Sequence, residues 1–312
     1  MDYLPLSDNA IRQAIDAGTV FDEHRRAREE CRRYAGGMYW KRQGAYEYLV
    51  RTGKDNSQQR IGQRSAETGQ VYAEFTLRKQ AAESRLRSLR AALAEAERMN
   101  KAVKAGRVPS MVIAVLLALE DAGLAPHFTV VGTHALYAYE AAAGVRIVQG
   151  ALATQDVDLL WDARRRVRFM TDLRKTQTSM LGVLQRADAS FRRKEGQNET
   201  AINDKGFEVD FLRRMAVADD PHPFRFSDDE GDLWPVQAMR AGALAEVPPF
   251  EHIVIGATGR MACMKTVAPS SFVAFKQWLA ASAPRREPAK RRRDLRQAGI
   301  VQQLLDEGLL PP

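Results

Sequence analysis

In the run Gln155-Asp156-Val157-Asp158-Leu159-Leu160, two carboxylates alternate with apolar residues, and no other feature constrains the chain as tightly. A period of two is that of a strand, so Asp156 and Asp158 share one face while Val157 and Leu159 share the other. Asp is disfavoured in strands, and two like charges at this spacing repel each other. The plain alternative is a solvent-facing pair on an edge strand. A hard cation between the carboxylates removes the conflict, and Mg²⁺ or Mn²⁺ has the required preference for oxygen ligands.

Two further segments bear on the same chemistry. In Phe207-Glu208-Val209-Asp210-Phe211 the alternation sends Phe207, Val209 and Phe211 inward and leaves Glu208 and Asp210 on the opposite face. If this strand pairs beside the first, Asp210 or Glu208 completes a three-carboxylate cluster. Upstream, the apolar Val130-Val131 runs into Gly132-Thr133. Gly132 allows close approach of the backbone to a phosphate, and a helix opening at Thr133 offers free N–H groups, the positive end of its dipole and a hydroxyl. A Gly-Thr turn alone is usually only a capped turn, so it acquires meaning from the acids that follow. His134 reads as a helix N-terminal residue outside the site. Three acids suit an in-line displacement at phosphorus, in which two ions about 3.5–4 Å apart stabilise the attacking and leaving oxygens.

The rest of the chain sets the frame. Its 312 residues are enough for one central domain with helical additions, or for two domains. Lys and Arg number 47 against 39 Asp and Glu, and the resulting charge of +8 favours a polyanionic partner, although it also serves solubility. Cys31 and Cys263 lack metal-ligand spacing and do not form a disulfide framework. The first residues have no apolar targeting segment, and the longest apolar run, 111–119, falls far short of the ~20 residues of a spanning helix, so a cytoplasmic protein without a membrane partner is expected.

Residues 9–104 are rich in Arg, Glu, Ala and Gln at helical spacing. A long amphipathic helix is expected over 72–104, with Phe75, Leu86, Leu89, Leu93 and Met99 along its apolar line. Residues 51–65, with their Gly, Asn and Ser, read as a loop carrying cations. An apolar helix is expected over 111–121, and strands over 127–131, 155–161, 191–194, 199–203 and 207–212. A hairpin is expected over 251–265, followed by helices after Pro269 and from Pro288. The fold class expected is α+β, a mixed-sheet core with helical N-terminal and C-terminal regions. The divisions expected are a basic helical region 1–107, a core 108–247, and a hairpin-and-helix region 248–312.

The order Val-Val-Gly-Thr, Asp-Val-Asp-Leu, Glu-Val-Asp-Phe resembles the DNA polymerase β-like nucleotidyltransferase superfamily. More closely, Val130 to Tyr139 with Ala153 to Asp162 resembles a bacterial nucleotidyltransferase-like group with a basic helical N-terminal region. The resemblance implies transfer of a nucleoside monophosphate from a nucleoside triphosphate such as ATP to a hydroxyl acceptor, RNA such as tRNA or a protein. By matching position, Gly132 and Thr133 hold triphosphate, Asp156 and Asp158 bind metal, and Asp210 is the third carboxylate. The chain departs from the pattern in placing Thr133 where Ser or Gly is usual and in its long interval from Ala135 to Thr154. Lys276 and the pair Arg293-Asp294 resemble a helical Lys and a basic-Asp pair of related antitoxin-system enzymes. That likeness implies a phosphate contact for Lys276 and an antitoxin-like partner; the plain reading of Lys276 is a solvated lysine beside a buried Trp278.

Three basic groups remain. Arg164, Arg165, Arg166 and Arg168 either solvate a helix face or clamp a polyanion, and Arg285, Arg286 and Lys290 to Arg293 read as a linker or a phosphate-backbone contact. Tyr34, Tyr39, Trp40, Tyr46 and Tyr48 interleave with Arg32, Arg33, Lys41 and Arg42, which suits either packing between helices or the stacking of a nucleic acid. The competing class is a non-catalytic RNA- or protein-binding module on the same scaffold.

Overall fold

The structure is a computed structural model that describes residues 2–217, 220, 224–282 and 287–311. Its contacts divide the chain into two units, one of Arg12–Ala102 and the other of Met1–Ile11 with Val103–Pro312.

In chain order, the first part of the protein comprises β1 (Tyr3–Pro5), α1 (Asp8–Arg33), β2 (Gly37–Gln43), β3 (Tyr46–Thr52), β4 (Gln58–Gln63) and α2 (Ala66–Ala102). The long amphipathic helix is present and begins six residues before the expected 72. Its buried line runs through Phe75, Ala82, Leu86, Ala96 and Asn100, and Met99 is exposed instead. Asn100 can be buried because its Oδ1 accepts a hydrogen bond from Gln13 Nε2 at 3.1 Å.

The expectation of a loop over 51–65 is corrected. Strands β2, β3 and β4 form a three-stranded antiparallel sheet, and the supposed loop is the end of β3, a turn and β4. Gly44, at φ +63°, makes a two-residue turn between β2 and β3. One face of this sheet meets α2, where the Trp40 and Tyr72 rings stand 6.0 Å apart and Arg51 lies 4.8 Å from the Phe75 ring centre. β4 is polar because it is an edge strand, and that polarity hides its strand character in the sequence.

The second part comprises α3 (Ser110–Asp121), β5 (Phe128–Val131), α4 (Ala135–Ala143), β6 (Val145–Ile147), α5 (Gln149–Leu152), β7 (Asp156–Trp161), α6 (Arg166–Lys175) and α7 (Met180–Gln185). It continues with β8 (Arg192–Lys194), β9 (Gln197–Ile202), β10 (Glu208–Arg213), β11 (Val236–Gln237), α8 (Ala241–Glu246), β12 (Pro249–Ile255), β13 (Met261–Val267), α9 (Pro269–Ser282) and α10 (Pro288–Asp306). These elements build a mixed eight-stranded sheet of order β12-β13-β5-β7-β10-β9-β8, with β11 taking over as partner at the end of β10. The expected hairpin is therefore part of the same sheet as the acid strands, joined to it through β13 and β5. β1 and β6 form a separate ribbon.

The sheet is positioned by its apolar face. Val157, Leu159 and Trp161 of β7, with Val209 and Phe211 of β10, are almost fully buried. Phe128 of β5, opposite Trp161, meets Phe169, Phe211 and Phe226 in edge-on contacts with ring centres 5.5–6.1 Å apart. A one-residue slip of β7 would drive Asp156 and Asp158 into this aromatic core, so hydrophobic burial fixes the side on which the acids emerge.

Candidate active site

The acids meet because β7 and β10 are parallel neighbours in a register that sets Asp158 opposite Asp210 and Asp156 opposite Glu208. Carboxylate oxygens of Asp156, Asp158 and Asp210 lie within 4.8 Å of one another. Glu208 is drawn away by Lys194, whose Nζ stands 2.6 Å from its Oε1, so Asp210 is the acid the structure brings to the other two.

Two hydroxyls orient the cluster without neutralising it. Thr154 donates to Asp156 Oδ1, and Thr200, opposite Asp210 across the β9–β10 pairing, donates to Asp210 Oδ1 at 2.5 Å. Neither threonine was assigned to the site from sequence. Thr154 sits two residues before Asp156, a spacing that places it on the same side, whereas Thr200 could be found only from the strand register.

Burial pushes the Asp158 carboxyl up to about 7, helped by the charges of Asp156 and Asp210 and opposed by Lys276 and Arg293. Burial also raises Asp210, against the lowering effect of the Thr200 hydrogen bond, with Asp156, Glu208 and Glu199 adding to the rise. The protein therefore holds three acids where they repel, an arrangement whose natural counterweight is a cation. The donor set is all carboxylate oxygen, which fits a hard divalent ion.

Gly132 closes the site from β5. It adopts φ +69°, and a Cβ placed there would lie 2.2 Å from Asp158 Oδ2. Only glycine fits both requirements. Gly132→Ala is expected to lower the melting temperature and to displace the Asp158 carboxylate; the left-handed conformation alone costs roughly 1–2 kcal/mol, to which the clash adds. Thermal unfolding together with metal titration checks this outcome. The expected helix start at Thr133 is instead a 3₁₀ turn, Gly132–His134, that leads into α4. Thr133 is buried, and its Oγ1 accepts from Gln297 Nε2 at 3.2 Å, a contact from α10 with no local sequence signal.

A cavity of about 280 Å³ opens on this cluster, lined among others by Gly132, Thr133, Asp156, Asp158, Lys276 and Arg293. Lys276 of α9 and Asp294 of α10 form a buried ion pair, Nζ to Oδ1 at 2.9 Å. Burial lowers the Lys276 ammonium from its usual value, with Asp294 opposing. Its surroundings include the Phe272 ring, 5.5 Å away, so it is not the exposed stem of the plain sequence reading. His134 is buried and held neutral, near 4, chiefly by desolvation, and it does not line the cavity.

The other basic groups are dispersed. Arg164 binds Asp162 at 2.8 Å, Arg165 stands 3.6 Å from the same carboxylate and Arg168 is 3.8 Å from Asp172. Arg164 and Arg165 line a second cavity of about 430 Å³ together with Lys265. Lys290 and Arg293 of the C-terminal run reach the acid cavity, whereas Arg285 and Arg286 lie outside the described residues. Among the described residues, Cys31 and Cys263 are not joined in a disulfide, and no helix is long and apolar enough to cross a membrane.

Comparison with known proteins agrees with this geometry. No curated protein and no solved structure matches the chain. Residues 110–312, the stretch that holds all three clustered aspartates and both C-terminal helices, match the family described as Nucleotidyltransferase. The match covers well over half of the sequence and contains the aspartate triad, and the chain belongs to that nucleotidyltransferase family.

Proposed function

We propose that the protein moves a nucleoside monophosphate from a nucleoside triphosphate to a hydroxyl of an acceptor, RNA or protein, and releases pyrophosphate. The observation that carries this reading is the convergence of Asp156, Asp158 and Asp210, the first two lining a cavity that also holds a glycine turn and a buried lysine. Asp156 and Asp158 hold Mg²⁺ or Mn²⁺, and Asp210 holds a second ion or orients the nucleophile. The bound ions supply charge neutralisation on the triphosphate and a lowered pKa for the attacking hydroxyl.

The remaining roles belong to the chain itself. Gly132 and Thr133 receive the triphosphate, using backbone approach and a hydroxyl. Lys276, kept in place by Asp294, gives the cavity a positive wall for phosphate oxygens. The acceptor oxygen bonds to the α-phosphorus while the bond from that phosphorus to the β-phosphate oxygen breaks. Asp210 takes the acceptor's proton or passes it to solvent, and the electron pair of the broken bond leaves on pyrophosphate.

The test is pyrophosphate release from each of the four nucleoside triphosphates, with total RNA or protein extract as acceptor. Turnover is expected with Mg²⁺ or Mn²⁺ and is lost with chelator or in Asp156→Ala. Turnover that survives either change overturns the assignment. An acceptor labelled only when a neighbouring protein is withheld would identify that protein as the antitoxin-like partner.

A further inference from the structure

The aromatic and basic residues of the three-stranded sheet are not used by the transfer chemistry. Registry divides them between two faces. Trp40, Leu49 and Arg51 point to the face that meets α2, and two cations there are engaged: Arg51 donates to the Arg33 carbonyl at 2.8 Å, and Arg64 binds Glu47 and lies 5.1 Å from the Trp40 ring centre.

The other face carries Tyr39 and Lys41 of β2, Tyr46 and Tyr48 of β3 and Arg60 of β4, with glutamines between them and no carboxylate. Tyr39 and Tyr46 are 37% and 55% exposed, and Lys41 and Arg60 are exposed as well. Their contacts are with one another: the Tyr46 and Tyr48 rings are 6.5 Å apart, and the Arg60 guanidinium lies 3.2 Å from the Tyr48 ring centre. Val50, opposite both Tyr39 and Arg60, is buried at the centre. Lys41 has no ion-pair partner among the described residues.

Charge points to the same partner. Residues 12–102 hold 19 Lys and Arg against 12 Asp and Glu, so this unit carries +7 of the chain's +8. Within 36–64 the count is six cations to two acids.

We infer that this outer sheet face binds single-stranded RNA. Exposed tyrosines offer ring faces on which unstacked bases sit, the cations between them neutralise the phosphate backbone, and glutamine amides meet base edges. An acidic protein would use the charge but leave the ring faces idle, and a duplex presents no unstacked bases. RNA is favoured over DNA because loops and ends of RNA are where unpaired bases are ordinarily displayed. The identity of this RNA as the transfer acceptor rests on the function proposed above; the binding does not.

The experiment is fluorescence anisotropy with the full-length chain and a labelled single-stranded RNA of about 12 nucleotides, without nucleotide or metal. The wild type is expected to bind and to weaken as salt rises from about 50 to 200 mM. The double variant Tyr39→Ala/Tyr46→Ala is expected to lose about tenfold or more in affinity. The Phe double variant at the same positions keeps the ring faces and is expected to bind as the wild type does. Lys41→Glu weakens binding and flattens its salt dependence. Asp158→Ala leaves RNA binding intact, so failure of the transfer reading and failure of this one can be told apart. The inference is overturned if the wild type does not bind, if the alanine double variant binds equally well, or if DNA of the same sequence binds as tightly.

Discussion

Asp158→Asn is expected to abolish nucleotidyl transfer while making the metal-free protein more stable to heat. Asparagine keeps the shape of the side chain beneath Gly132 and removes one of three converging negative charges. A neutral amide is a poor ligand for a hard divalent ion, and losing a single electrostatic stabiliser of a transition state typically costs 10²–10³ in rate. A fall in turnover of about a thousandfold or more is therefore expected, read as pyrophosphate release.

Stability moves in the opposite direction. In the folded protein the Asp158 carboxyl holds its proton up to about pH 7, against an ordinary value of 3.8, because it is buried beside Asp156 and Asp210. The folded state thus binds more protons than the unfolded chain between these values, and the contribution of Asp158 to stability is lost as pH rises through about 7. Without metal, the wild type should melt at lower temperature at pH 8 than at pH 5, and the asparagine variant should lack most of that fall. Divalent ion should restore the wild type at pH 8 and leave the variant nearly unchanged. An asparagine variant that retains full turnover would remove Asp158 from the reaction.

The acids were legible in the sequence because they obey a short-range rule. Alternation of Asp156 and Asp158 with Val157 and Leu159 is a property of one strand, and burial of the apolar set fixes the direction of the polar set. The choice between Glu208 and Asp210 was not legible, since both emerge on the same side of β10. It is decided by Lys194, a residue of another strand that captures Glu208. The same holds for Thr200 and Gln297, which reach the site through strand registry or helix packing and leave no trace in local spacing.

The N-terminal sheet was missed for a different reason. Its strands carry Lys, Arg and Gln at positions where a buried strand would carry Val or Ile, and composition on that scale resembles a polar helix or loop. Trp40 and Leu49 hint at an apolar side, and the register shift against β4 between Leu49 and Val50 breaks even that short alternation. A two-sided sheet that packs one face on a helix and leaves polar side chains exposed on the other has little apolar periodicity to display.

Lys276→Met is expected to destabilise the protein by about 3–5 kcal/mol, because it takes the buried ammonium away from the fully buried Asp294 carboxylate. The ammonium and the carboxylate are both withdrawn from water, and each offsets the desolvation of the other; removing one takes that offset away from its partner. Restoring neutrality by combining Lys276→Met with Asp294→Leu should recover most of the lost stability, since apolar replacement of a whole buried pair is often neutral or better. Chemical denaturation of the wild type, both single variants and the double variant closes the cycle and measures the coupling. The double variant then separates the two roles of Lys276. If the lysine serves only to join α9 to α10, the refolded double variant binds nucleoside triphosphate as the wild type does. If its charge also meets phosphate in the cavity it lines, stability returns while nucleotide affinity stays low, and the loss is larger for a triphosphate than for a monophosphate.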